Sequence, residues 1–145
     1  MRSTILALSF ILFLLGTENA SSQTNYEYKI VTSVESIVPM GVGRSRIIEN
    51  GSELSYNEIK GDKNTKRKDL KDSDYIETKL LNFYSGVGIN FQNIASNDAV
   101  ISGMINDIAN EGWELFTVIS GVESDAGKDD GKGIFITRYV FKRPK

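Results

Sequence analysis

Ser96-Asn97-Asp98-Ala99-Val100-Ile101-Ser102-Gly103-Met104-Ile105-Asn106-Asp107-Ile108-Ala109-Asn110-Glu111-Gly112 runs directly into Trp113-Glu114-Leu115-Phe116-Thr117-Val118-Ile119. The change of period across this stretch decides the fold. Val100, Ile101, Met104, Ile105 and Ile108 recur at one-four spacing, the single apolar stripe of a helix lying on a core. Ser96 or Asn97 is the expected cap, and Asp98 suits the positive end of the helix dipole. Gly112 stands where a left-handed C-terminal cap belongs. Trp113 to Ile119 then reads as a strand.

Working outward, Ser124 to Gly133 is a Gly/Asp/Lys loop, and Ile134 to Lys142 is the last strand. In it Ile134, Ile136 and Val140 point one way, and Phe135, Tyr139 and Phe141 the other. A sheet with one wet face should alternate apolar with polar, so the second face needs a cover. The expected cover is Leu80, Leu81, Phe83, Ile89 and Phe91, which would leave a monomer; failing that, Phe135, Tyr139 and Phe141 are the candidate interaction surface for a second copy or a partner. Upstream, Tyr26-Glu27-Tyr28-Lys29-Ile30-Val31-Thr32-Ser33-Val34 alternates as a half-buried strand, with Tyr26, Tyr28, Ile30 and Val34 on one face. Pro39 and Gly41-Val42-Gly43 should end it. Asn50-Gly51 between Arg44–Glu49 and Ser52–Tyr56 predicts a hairpin. Residues 60–74 hold one apolar side chain, Leu70, and read as a mobile charged loop; Thr78 to Phe91 suggests two short strands. The expected class is α+β: an antiparallel sheet packed against one main helix, with an extra hairpin and an insertion, over residues 23–145.

Residues 1–22 read as a signal peptide. A short positive start at Arg2 precedes the apolar run Ile5 to Gly16, about 18 Å of helix at ~1.5 Å per residue. That is normal for a signal-peptide core and short of the roughly 30 Å of a bilayer. Cleavage after Ser22 puts Ala20 and Ser22 at the small-residue positions. The product is expected to be exported, periplasmic or extracellular, with no stable membrane insertion.

The 145 residues include no histidine and no cysteine, and the net charge is −2. Disulfides, thiolate zinc sites and imidazole-based nucleophile systems are thereby excluded. The charge balance gives no reason to expect nucleic acid.

Tyr26-x-Tyr28-Lys29, the Gly112-Trp113-Glu114-Leu115 turn and the closing Phe141-Lys142-Arg143 fall in one order. The pattern resembles a family of small bacterial domains of unknown function, compact α+β units with these three motifs. The resemblance covers about half of the chain; a long insertion, roughly Gly41 to Ala95, departs from it. It implies a fold, with Tyr26, Tyr28, Gly112, Trp113, Leu115 and Phe141 as structural signature, and no catalytic residue.

Other clusters read as structure. Glu111 and Glu114 flank Trp113 and are expected to face solvent rather than act as an acid–base pair. Glu123, Asp125, Asp129 and Asp130 lack the register of a calcium loop. Gly41-Val42-Gly43 and Gly86-Val87-Gly88 lack the strand–glycine–helix setting of a phosphate loop. Lys63, Lys66, Arg67, Lys68 and Lys71 are interleaved with Asp62, Asp69, Asp72 and Asp74 and carry no aromatic for base stacking. No cofactor or metal is called for. The expectation is a non-catalytic exported protein that binds a protein or polymer of the bacterial envelope; the alternative is a small carboxylate-dependent hydrolase acting on such a polymer. Mass spectrometry of the exported protein is expected to find Gln23, free or cyclised, as its first residue; the intact 145-residue chain in a membrane fraction would reverse the localisation.

Overall fold

The computed structural model describes residues 25–36, 45–51, 56–123 and 133–145. In chain order they form β1 (Tyr26–Ser36), β2 (Arg46–Glu49), a single turn α1 (Tyr56–Ile59), a 3-10 turn (Arg67–Leu70), β3 (Ile76–Lys79), β4 (Tyr84–Ser85), β5 (Gly88–Ile89), α2 (Phe91–Asn110), β6 (Glu114–Glu123) and β7 (Ile134–Pro144). The main sheet is antiparallel throughout, in the order β3-β2-β1-β7-β6, and β4-β5 is a separate miniature hairpin. The α+β class is as expected: one long helix on a five-stranded sheet.

The helix begins earlier than its apolar stripe. Asn90 caps it, its Oδ1 accepting from the Gln92 and Asn93 amides at 3.1 and 3.2 Å. Gly112, at φ 88°, ends it in the left-handed conformation that glycine adopts without a Cβ clash. The core is Val31, Ile47, Leu80, Ile108, Tyr139 and Phe141, joined by the half-buried Ile101, Met104, Ile105 and Trp113.

Asn97, read from the sequence as a cap, lies in the second turn and is buried. Its Oδ1 accepts from the Leu81 amide at 2.8 Å, and its Nδ2 donates to the Leu81 carbonyl at 2.7 Å and to Glu35 Oε1 at 3.2 Å. One side chain thus completes the backbone pairing of the 80–82 segment and ties α2 to β1. Beside it, Asn93 Nδ2 donates to the Asn82 carbonyl at 2.7 Å. The buried Ser45 hydroxyl donates to Asn82 Oδ1 and accepts from the Ser36 amide.

The layering departs from expectation in three ways. First, β1 turns its other face to the helix: Val31 and Ser33 are buried, whereas Tyr26, Tyr28 and Ile30 are exposed. On this face of β1, Val31 is registered with Tyr139 of β7 and Lys29 with Phe141. Tyr139 is 8% exposed and Phe141 fully buried, so these two belong to the core and are no free interaction surface. Second, the insertion packs on the helix side as well. Leu80 enters the core, and Phe83 meets Phe135 at a ring-centroid distance of 5.8 Å. Third, Asn50-Gly51 does not close the expected hairpin: both neighbours of β2 are taken, by β1 and β3, and Tyr56 lies in a helical turn; residues 52–55 lie outside the described set.

Replacing Asn97 by Ala leaves the Leu81 N–H and C=O unpaired in the interior. At about 1–3 kcal/mol for each unsatisfied buried group, the loss is expected to be roughly 2–4 kcal/mol by denaturant titration. A loss under about 1 kcal/mol would deny the amide its role.

Candidate binding surface

Helix and most of the described insertion share one side of the sheet; among the described residues the other side is largely uncovered, bordered by Asp72 and Tyr75 near Ile30, Thr32 and Ile48. It carries Tyr26, Tyr28, Ile30, Thr32 and Val34 of β1, with Val140, Arg138 and Ile136 of β7 in register beside them. Phe116 and Ile119 of β6 extend it, and Tyr28, Phe116 and Ile119 are 58%, 54% and 58% exposed. An apolar face of this kind, with aromatics gathered at one corner and an arginine near its centre, has the composition of a contact surface rather than of ordinary wet surface.

The three sequence motifs converge at one corner of this sheet. Register places Tyr28 beside Lys142 and Lys142 beside Glu114. Lys142 Nζ lies 5.1 Å from the Tyr26 ring centre, 4.8 Å from that of Phe116 and 3.7 Å from Glu114 Oε2. Cation–π attraction and the carboxylate hold the ammonium over the rings. The Tyr28 and Phe116 rings meet edge to face at 6.1 Å. On the helix side of the same corner, the Arg143 guanidinium stacks 4.3 Å from the Trp113 ring and pairs with Glu27. Trp113 is therefore half-buried, packed against the core on one side with a cation over its ring. Of the other signature residues, Leu115 is exposed on β6 and Phe141 is internal. Arg138, near the centre of the open face, has no ion pair among the described residues.

The far edge of the open face is polar. Arg46 Nη1 donates to Glu77 Oε2 at 2.7 Å. The hydrogen bond from Arg46, then one from Tyr75, holds the Glu77 carboxyl below its usual range, and the bond to Glu77 pushes the Tyr75 phenol up.

On the helix side a cleft of about 380 Å³ is lined by Ile47, Thr78, Met104 and Asp107, among others. Within it Lys29 Nζ lies 3.8 Å from Glu49 and 3.6 Å from Glu111. Glu111 and Glu114 thus salt-bridge lysines on opposite sides of the sheet and do not converge. Gly86-Val87-Gly88 is the turn of the β4-β5 hairpin. The basic residues of 60–74 are exposed on their loop; Gly41-Val42-Gly43 and the aspartates of the final loop lie outside the described residues.

Phe116, Ile119 and Arg138 were not singled out by sequence reasoning, and Lys142 entered only as part of the closing motif. Their signal was parity: Arg138 and Lys142 share the phase of Ile136 and Val140, so whatever face those occupy carries both cations. No protein-family model, curated protein or solved structure matches the chain. No helix among the described residues is long and apolar enough to cross a membrane.

Since the Glu77 carboxyl titrates below its unfolded value, its contribution is present above that value and lost as pH falls through the folded one. Glu77→Gln is expected to narrow the gap in melting temperature between pH 7 and pH 3 relative to wild type. An unchanged gap would show that the pair is too solvated to matter.

Proposed function

We propose that the chain is an exported, non-catalytic binding protein of the bacterial envelope or extracellular space, and that the open sheet face is its contact surface for a protein or polymer. The observation that carries this reading is the uncovered row of Tyr26, Tyr28, Phe116 and Ile119 beside Lys142 and Arg138. Aromatic and arginine side chains dominate the energetics of contact surfaces because they bury large area with few rotamers to freeze. The apolar leader Ile5 to Gly16 behind Arg2 supports export.

The hydrolase alternative rests on the helix-side cleft, where Glu49, Asp107 and Glu111 line one cavity. Lys29 stands between Glu49 and Glu111 as their common counter-ion, in the space a scissile bond between two catalytic carboxylates would need. Binding through the open face is the better account.

The test uses the chain from Gln23 onward, sedimented with two probes: purified peptidoglycan and washed envelope membranes. Wild type is expected to co-sediment with one of them. Tyr28→Asp/Phe116→Asp should lower the bound fraction at least tenfold, and Asp107→Asn on the helix side should leave it unchanged. Equal binding by the face variant and wild type would reject the surface. Clearing of the peptidoglycan suspension, lost in Glu111→Gln, would favour the hydrolase.

A further inference from the structure

The helix-side cleft holds more negative charge than its lysine answers. At about 380 Å³ it falls in the size range of small-molecule sites. Its helix wall is one stripe of α2 from Val100 to the C-cap Glu111, and β1, β2 and β3 supply the rest. Lys29 is shared between Glu49 and Glu111. Asp107, one turn before Glu111, has no ion pair among the described residues. Like charges at this spacing repel. Both stand, moreover, at the C-terminal end of α2, where the helix dipole favours a cation and no basic residue occupies the last turn.

A second feature is independent of charge. Gly103 lies one turn before Asp107 in the interior of α2, where glycine is among the poorest helix formers. Its φ is not positive, so the backbone does not require it. Packing does not require it either: a Cβ there would meet no packing neighbour within 4 Å among the described residues. The missing side chain instead keeps a notch open in the cleft wall, on the same helix face as Asp107. Ile47, Val100 and Met104 line the same cleft and give it an apolar part.

We propose that the cleft binds a small aliphatic amine, its ammonium on Asp107 and its hydrocarbon body in the notch over Gly103, against Ile47 and Met104. The charge selects a cation. A metal ion is the poorer fit, since among the described residues no three acidic groups are placed to hold one. An alkylammonium answers both halves of the site, the carboxylate by a charge-assisted hydrogen bond and the apolar side chains by contact. The cleft lies across the sheet from the proposed contact face, so neither reading rests on the other.

The test is a titration of the isotope-labelled chain from Gln23 onward, followed by the amide resonances of Gly103 and Asp107. Pentylamine is expected to shift both saturably, whereas pentanol and sodium chloride of equal ionic strength do not. Asp107→Asn should weaken pentylamine binding by about tenfold or more, the scale of a lost hydrogen bond to a charged group. Gly103→Ala should melt no lower than wild type, alanine being the better helix former, yet bind more weakly. Gly103→Leu, folded by circular dichroism, should not bind. Tyr28→Asp/Phe116→Asp should bind as wild type does. Absence of saturation, pentanol binding as well as pentylamine, or full affinity in Asp107→Asn or Gly103→Leu overturns the proposal. So does a lysine-containing tripeptide that binds more tightly than pentylamine, which would give the cleft to a partner's side chain instead.

Discussion

A single buried amide holds the two layers of this protein together. Asn97 gives both ends of its side chain to Leu81 and a further bond to Glu35, so it joins the helix, the crossing segment and the central strand at one point. A hydrophobic stripe alone would let the helix slide or rotate over the sheet. Hydrogen bonds of fixed direction do not, and in the interior they are costly to lose. With the helix pinned there, the 80–82 segment is drawn under it, Leu80 fills the core, and Phe83 is carried on to Phe135. All of the apolar material of the insertion that becomes buried goes to the helix side.

Among the described residues the other side of the sheet is left largely uncovered as a result of where the cover went. Two of its long-chain cations are held differently. Lys142 is fixed between two rings and a carboxylate, a preformed and rigid positive point; Arg138 is held only by its own strand. The helix-side cleft is the reverse case, with its lysine tied between two glutamates. The tightest ion pairs, Arg46 with Glu77 and Arg143 with Glu27, lie outside that cleft, and the exposed aromatic area gathers at one corner of the opposite face.

Much of this was legible in the sequence and some was not, for identifiable reasons. The stripe from Val100 to Ile108, the Gly112 turn and the two long strands after it could be read because helix and strand periods are local properties. The buried face of β1 could not. Alternation separates Tyr26, Tyr28 and Ile30 from Val31 and Ser33, but which set goes inward depends on Tyr139 and Phe141, more than a hundred residues later. The Asn50-Gly51 signal failed because β2 already had a neighbour on each side. Asn97 was misread because a cap and a lateral clamp use the same residue type. Phe141 was recognised as a motif residue and assigned to the wrong face, for want of knowing where the insertion would lie.

The pairing of β1 with β7 has a consequence in time as well as space. The two central strands are the first and last elements of the described chain, registered along their whole length from Tyr26 with Pro144 to Ser36 with Ile134, and the Lys145 amide reaches the Asn25 carbonyl at 2.9 Å. Until the last strand exists, β1 and β6 have no common neighbour and the helix has half a floor. Closing so long a loop before any of its contacts is rewarded makes folding slow and late. The sheet is thus closed by the two elements that lie farthest apart along the described chain, so its central ladder is also its least local contact.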